Sequence, residues 1–213
     1  MGVQAKICGI STPEAVTAAL DGGAAFLGFM FFEKSPRNVG AEAAARLAQP
    51  VRGAAKIVAV AVDPDDAEVD RLATILKPDL IQLHGRESPA RARAIGQRAG
   101  AGVIKVVPVS EGSDLAAAAD YEGIVEHLMF ETKAPKDADR PGGHGATFDW
   151  TLLAGRRFKR PWFLAGGLDP WNLSEAVQQS GAPLLDVSSG VERGPGLKDP
   201  ALIAAFLDAA KRA

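Results

Sequence analysis

The stretch VQAKICGISTPEAVTAALDGGAAFLGFMF, residues 3–31, contains one complete strand–helix–strand unit. Its two ends, VQAKIC and AFLGFMF, are short and almost continuously apolar, which is typical of strands buried on both faces. Between them, Ser11-Thr12-Pro13-Glu14 combines capping residues with a proline and an acid in the first turn of a helix. The helix stops at Asp21-Gly22-Gly23. This stretch predicts two parallel strands joined by a helix.

The same alternation continues along the chain. Apolar runs that predict strands occupy residues 3–8, 25–31, 55–62, 80–83, 103–109, 127–131, 161–165 and 183–187. Further helices are predicted from Asp63, Ser88, Asp169 and Asp199, and two shorter ones within residues 113–121 and 148–154.

Eight strand–helix units in 213 residues average about 27 residues each, near the compact end for a (β/α)8 barrel. The alternative is a doubly wound open sheet, but the sequence contains neither G-x-G-x-x-G nor G-x-x-x-x-G-K-[ST] to support a nucleotide site of that fold. No linker or low-complexity segment interrupts the units. The sequence therefore predicts an α/β protein, a single-domain (β/α)8 TIM barrel over residues 1–213.

Composition excludes several classes of function. The 24 basic and 26 acidic residues give a net charge of −2, which provides no electrostatic footprint for nucleic acid or an anionic membrane. One cysteine cannot form an internal disulfide. No signal peptide is apparent, and the longest strongly apolar stretch, residues 24–32, is too short for a membrane-spanning helix. We expect a soluble, cytoplasmic protein with no nucleic-acid or membrane partner.

The single cysteine, Cys8, is the last residue of the first predicted strand. A lone cysteine is usually a small buried core residue. In (β/α)8 barrels, however, the chemistry gathers where the strands end and in the loops that follow. Position therefore favours a functional Cys8. Polar residues at or after the other strand ends include Arg37, His84, Glu131 and Asp186.

The turns after the seventh and eighth strands are rich in glycine and serine. Gly166 and Gly167 follow the seventh strand, and Ser188, Ser189 and Gly190 follow the eighth. Backbone N–H groups in such turns, next to a helix start, can cradle a phosphate, and barrels often place that site after these two strands. Glycine allows the backbone to approach a ligand closely. The sequence therefore predicts a phosphorylated small-molecule substrate.

Several short motifs occur in a specific order and spacing. They are K-I-C-G-I, F-x-x-x-S-P-R, Q-L-H-G, G-G-x-G-x-T-F-D-W, L-A-G-G-L, and D-V-S-S-G-V-E followed by K-D. Together they resemble the phosphoribosylanthranilate isomerase family over residues 6–199, nearly the whole chain. The resemblance implies an enzyme of tryptophan biosynthesis that converts an N-glycosylated anthranilate to its 1-deoxyribulose isomer.

The family's reaction is an Amadori rearrangement that needs an acid and a base. The acid protonates the furanose ring oxygen, the ring opens to a Schiff base, and the base removes a proton from the adjacent sugar carbon. The resemblance implies that Cys8 is the base, with a pKa that we expect Arg37 and nearby helix N-termini to lower. It places Glu131 where the family has an aspartate, one methylene shorter. An ordinary glutamate is only ~0.2% protonated at pH 7, so we expect burial and substrate charge to raise its pKa.

The resemblance also suggests substrate contacts. Arg37 is expected to contact the anthranilate carboxylate or ring, because a planar guanidinium suits both. His84 and Asp186 are expected to orient substrate hydroxyls, although a structural hydrogen bond is an equal alternative for His84. No metal or cofactor is expected, and the protein is expected to be a monomer or homodimer. Residues expected to have other roles are His127 in packing, His144 as an exposed substitution, and Asp149 and Trp150 at the sixth helix.

Three other functions compete with this interpretation. A related isomerase of histidine synthesis performs the same rearrangement, but that family has an aspartate where this chain has Cys8, and its two halves repeat. Metal-dependent pentulose-phosphate epimerases need paired His and Asp ligands that the three histidines at 84, 127 and 144 do not supply. A non-catalytic phosphate-binding barrel, or a subunit docked to a neighbouring pathway enzyme, would have no need for both Cys8 and Glu131.

Overall fold

The computed structural model describes residues 2–134, 142 and 145–213, and its strands form a closed barrel. The eight parallel strands are β1 (Gln4–Cys8), β2 (Phe26–Phe31), β3 (Lys56–Ala61), β4 (Leu80–Leu83), β5 (Gly102–Val109), β6 (His127–Thr132), β7 (Phe163–Leu164) and β8 (Leu184–Val187). The ring closes because β1 pairs with both β2 and β8. The predicted (β/α)8 fold is confirmed, and every strand ends within two residues of its predicted limits.

Helices connect the strands around the outside of the ring. The α-helices are α1 (Pro13–Asp21), α2 (Ala41–Leu47), α3 (Asp66–Arg71), α4 (Pro89–Ala99), α5 (Leu173–Ser180) and α6 (Pro200–Arg212). The starts of α1 and α6 follow the predicted caps: Thr12 Oγ1 accepts a hydrogen bond from Ala15 N, and the Asp199 carboxylate accepts one from Ala201 N. Within the described part of the chain, no helix is long and apolar enough to cross a membrane.

Some connections differ from regular α-helices, including the π-helical turn Leu72–Leu76 that follows α3. The two short predicted helices are 3-10 helices, Gly112–Asp120 and Trp150–Leu153. The first is rich in alanine and buries only Leu115 and Ala118, so it has little apolar surface with which to anchor a longer helix. After β8, an unpredicted hairpin of β9 (Glu192–Gly194) and β10 (Leu197–Lys198) precedes α6.

The side chains inside the barrel change from apolar to polar along its axis. Alternate residues of the strands point inward, and Val58, Ile104 and Met129 belong to an apolar cluster there. A larger apolar cluster joins the outer faces of the strands to the helices. Near the C-terminal ends of the strands, buried residues are polar or charged: Lys6, Gln82, Glu131 and Asp186. The fold therefore concentrates polar chemistry at this mouth of the barrel.

Candidate active site

Two adjoining cavities open at the mouth of the barrel. Glu131, Asp186 and Ser188 line both cavities. Cys8 lines one of them and is only 4% exposed. The predicted thiol and carboxyl therefore face a common space, although β1 and β6 lie three strands apart around the ring.

The thiol of Cys8 has a fully buried lysine beside it. Lys6, two residues earlier on the same face of β1, donates a hydrogen bond from Nζ to Asp186 Oδ1 at 2.8 Å. Burial raises the pKa of Cys8, and the Lys6 charge only partly offsets that rise. The expected lowering of this pKa with help from Arg37 is wrong, because burial dominates and the cations that act on the thiol are Lys6 and Lys198.

Asp186 occupies the end of β8 as predicted, but its partner is Lys6. Burial raises the pKa of Asp186, against the opposing effect of the Lys6 ammonium. For Lys6, burial favours the neutral amine, but the charges of Asp186 and Cys8 and the hydrogen bonds to them together outweigh it, and the pKa is raised. Lys6 is therefore a cation at neutral pH inside the barrel. This buried lysine was not predicted to be a site residue.

Glu131 forms a pair with His84. Nε2 of His84 lies 2.8 Å from Oε2 of Glu131, and both side chains are about nine-tenths buried. Gly142 covers the pair, since a Cβ placed on it would lie 2.6 Å from Glu131 Oε1 and 2.8 Å from His84 Cε1. The prediction for His84 left a substrate contact and a structural hydrogen bond open. The structure brings the imidazole to the carboxyl that was predicted to be the acid.

Arg37 lines the same cavity as Cys8, but its guanidinium already binds a protein carboxylate. Nε and Nη2 donate to the two oxygens of Glu192 at 2.7 and 2.8 Å. Lys198 Nζ also donates to Glu192, at 2.5 Å, and to the backbone oxygen of Ser188. Burial favours the neutral acid at Glu192, but Arg37 and Lys198 outweigh it and lower its pKa. The bidentate pair fixes the loop after β2 to the β9–β10 hairpin.

The glycine- and serine-rich turns meet at the other cavity. Gly166, Gly167, Ser188 and Ser189 line it. Gly166 and Gly167 have φ angles of +88° and +66°, which favour glycine. A Cβ on Gly190 would clash with the backbone oxygen of Leu168, so glycine is needed where the two turns pack together. The two turns thus form one continuous wall of this cavity.

Two further polar side chains at the mouth lack a hydrogen-bond partner among the described residues. Gln82, 1% exposed at the end of β4, lines the cavity of Cys8 with its Oε1 unpaired. Thr132 Oγ1 at the end of β6 is also unpaired, and Thr132 lines the cavity of the glycine turns. Buried acceptors without partners are rare and call for an explanation, such as a ligand donor. The sequence signal that could have identified these two residues as part of the site is their position near strand ends.

The remaining predicted residues lie away from this chemistry. His127 packs edge-on between the rings of Phe26 and Phe163. Asp149 accepts a hydrogen bond from Thr151 N and caps the 3-10 helix that the buried Trp150 begins. His144, predicted to be an exposed substitution, lies outside the described residues. Across residues 2–134, 142 and 145–213, no three His, Cys, Asp or Glu side chains are grouped to hold a metal ion.

A thiol, a carboxyl and a glycine-rich cradle at the C-terminal mouth of an eight-stranded barrel define the class: a (β/α)8-barrel enzyme of small phosphorylated substrates. A family model described as N-(5'phosphoribosyl)anthranilate (PRA) isomerase matches residues 5–209. The chain belongs to the phosphoribosylanthranilate isomerase family, as its motifs indicated.

Individual relatives agree over their full length. The N-(5'-phosphoribosyl)anthranilate isomerase of Caulobacter sp. (strain K31) is 66% identical over 211 residues, which cover 99% of each chain. The crystal structure of the phosphoribosyl anthranilate isomerase from Thermotoga maritima has a TM-score of 0.88 at 34% identity, covering 99% of this chain and 100% of that one. A phosphoribosyl anthranilate isomerase solved with reduced 1-(o-carboxyphenylamino)-1-deoxyribulose 5-phosphate has a TM-score of 0.85 at 32% identity, with the same coverage.

Proposed function

We propose that this chain isomerises N-(5'-phosphoribosyl)anthranilate with Cys8 as the general base and Glu131 as the general acid. The observation that carries the proposal is the shared mouth, where both side chains face one cavity beside the glycine and serine turns. The activity is that of the family in tryptophan biosynthesis, an isomerase reaction. The roles of the two residues are those that the family resemblance implies, and their shared cavity supports them.

The reaction divides between the two side chains. Glu131 donates a proton to the furanose ring oxygen as the bond from that oxygen to the anomeric carbon breaks, leaving a protonated Schiff base. Cys8, as thiolate, takes the proton from the adjacent sugar carbon. The electron pair of the broken C–H bond then forms the double bond of the enolamine and neutralises the Schiff base nitrogen. Tautomerisation to the ketone completes the rearrangement. Each proton transfer is a step of general acid–base catalysis, for which a positioned side chain typically contributes ~10²–10⁴ in rate.

His84 positions the carboxyl that we assign as the acid. Its Nε2 lies 2.8 Å from Glu131 Oε2, and both side chains are about nine-tenths buried. The imidazole therefore fixes the direction in which this carboxyl faces the cavity that it shares with Cys8.

Substrate groups fit the remaining surfaces. The phosphate is assigned to the wall of Gly166, Gly167, Ser188, Ser189 and Gly190, whose turns lie together. The unpaired Oε1 of Gln82 would accept a hydrogen bond from a substrate hydroxyl or amine. Arg37, with Nε and Nη2 held by Glu192, presents its remaining edge or its planar face to the anthranilate.

The wider expectations stay part of the proposal. We propose that the enzyme acts in the cytoplasm as a monomer or homodimer, with no metal and no cofactor. The solved structures of the family include monomers of a dimeric enzyme. Size-exclusion chromatography with light scattering would decide between the two states.

A turnover assay tests the acid–base assignment. Catalytic amounts of the wild type should remove the anthranilate fluorescence of the substrate, and Cys8→Ala should lose ~10³-fold in kcat, because it removes the group that we assign as the proton acceptor. The same variant should still bind the reduced product analogue, since the phosphate wall is intact. Wild-type kcat in Cys8→Ala would show that another group is the base.

A further inference from the structure

A buried thiol is a poor base unless something stabilises its thiolate. Cys8 is 4% exposed, and burial raises its pKa. A base that acts at neutral pH needs a larger thiolate fraction than an isolated buried cysteine would have. A neighbouring buried positive charge, which water does not screen, would stabilise the thiolate directly.

The structure places Lys6 in that position. A Cβ built on Gly28 would lie 2.9 Å from Lys6 Nζ and 3.1 Å from Cys8 Sγ, so both end groups occupy the space above this glycine. Gly28 lies opposite Cys8 in the register of β1 and β2. Any side chain there would displace the ammonium or the sulfur. The glycine thus leaves room for a close approach of the two groups.

Charges from several elements face this pair. Asp186 on β8 accepts the 2.8 Å hydrogen bond from Lys6, and Lys198 on β10 adds a second, weaker positive influence on the thiol. Glu131 and His84 face Asp186 from β6 and from the end of β4. The ammonium of Lys6 therefore lies close to the sulfur and also bonds the buried carboxylate of Asp186. Without its ammonium, Cys8 would ionise beside an uncompensated negative charge.

We propose that Lys6 is a positioning residue of this enzyme, held by Asp186 above Gly28, and that its ammonium stabilises the thiolate of Cys8. The proposal rests on the assignment of Cys8 as the base. Lys6 acts through the sulfur and exchanges no proton with the substrate. Asp186 has the opposite influence on the thiol, while fixing the ammonium in place.

Titration of the thiol tests this directly, because Cys8 is the single cysteine of the chain. The pH dependence of the ultraviolet thiolate absorbance, measured against Cys8→Ala to remove other chromophores, reports one group. Lys6→Met should shift the thiol titration upward by a pH unit or more, which lowers the thiolate fraction at least tenfold. Asp186→Asn should shift it downward. A general loss of structure would not shift the thiol titration in opposite directions in these two variants.

Two controls keep the test decisive. Lys105→Met removes another buried lysine, paired with Glu87 at 2.7 Å, and should leave the thiol titration unchanged. If Lys6→Met does not fold, the double variant Lys6→Met/Asp186→Asn removes both charges of the pair. Its Cys8 thiol should still titrate at a higher pH than in the wild type, because the ammonium has a larger effect on the sulfur than the carboxylate has. An unchanged thiol titration without Lys6, or an equal shift in Lys105→Met, would overturn the proposal. Full activity in Cys8→Ala would instead overturn the base assignment, a distinct result.

Discussion

Glu131 at the end of β6 and His84 just beyond β4 meet as a carboxyl–imidazole pair 2.8 Å apart. The family's pattern at this strand end has an aspartate, whose carboxyl reaches one methylene less far. Here the longer side chain brings the acid into contact with His84 and beneath Gly142. The substitution thus preserves the functional group, and the histidine gives it a defined partner.

The proton of Glu131 can be tested by paired substitutions. Glu131→Gln removes the acid but retains size, and we expect kcat to fall ~10²–10⁴-fold. Glu131→Asp retains the acid and moves it by one methylene, so we expect a loss of no more than ~10²-fold. Steady-state fluorescence assays at neutral pH measure both. Equal activity in the two variants would mean that Glu131 does not donate the proton.

Gly142 is expected to tolerate no side chain. In Gly142→Ala the added Cβ would press on Glu131 Oε1 and His84 Cε1, at 2.6 and 2.8 Å, and must displace the pair. We expect kcat to fall at least tenfold, because small misplacements of catalytic groups are costly. Gly112→Ala is the control, since its Cβ meets nothing closer than 3.8 Å. Unchanged kcat in Gly142→Ala would show that residue 142 can shift away from Glu131 and His84 without cost to catalysis.

Glu192 should be a large contributor to stability. Its carboxylate accepts hydrogen bonds from Arg37 and Lys198, and the three side chains are at most 5% exposed. Glu192→Gln leaves two buried cations without their counter-ion, which typically costs ~3–5 kcal/mol of unfolding free energy. Urea unfolding measures the difference. Glu175→Gln, on the exposed surface of α5, should change stability by less than ~0.5 kcal/mol. Similar values for both would remove the argument for a buried cluster.

Asp114 should make stability depend on pH in the acid range. Its pKa lies well below the ordinary value, chiefly because Ser110 N donates a hydrogen bond to the carboxylate, with further help from Lys133. A lowered folded-state pKa gives stability that is present above ~3.9, the ordinary value, and is lost as the pH falls through the folded pKa.

Urea unfolding at a series of pH values tests this sign. Asp114→Asn should be less stable than the wild type at neutral pH, and the difference should shrink as the pH falls below ~3.9. Asp21→Asn, at the exposed end of α1, controls for a general change of charge. A difference that grows on acidification would contradict the assignment.

The fold was predictable because each strand is a short run of apolar residues between helices with recognisable starts and stops. The hairpin β9–β10 was not, since strands of three and two residues carry no periodicity. The 3-10 geometry of Gly112–Asp120 depends on how little apolar surface that segment buries, which composition alone does not settle.

The candidate site was predictable in its strand-end residues but not in their partners. Cys8, Glu131 and Asp186 follow from position, whereas the pairing of Lys6 with Asp186 joins residues 180 positions apart. The pairing of Arg37 with Glu192 was not predictable, because Glu192 lies 155 positions away in an unpredicted hairpin. One local signal did exist: Lys6 is a lysine on the inward face of a buried strand, a rare place for an unpaired charge.

The site lies where the first strand, β1, pairs with the last strand, β8, so it can assemble only after nearly the whole chain has been translated. Cys8 lies on the β1 side of this pairing, and Asp186 and Ser188 lie on the β8 side. At ~5–20 residues per second, the ribosome makes the second group of residues ~10–40 s after the first. Until then Lys6 lacks its partner Asp186, and Cys8 lacks the contact of its backbone oxygen with Ser188. The proposed site is therefore complete only when the last strand closes the barrel.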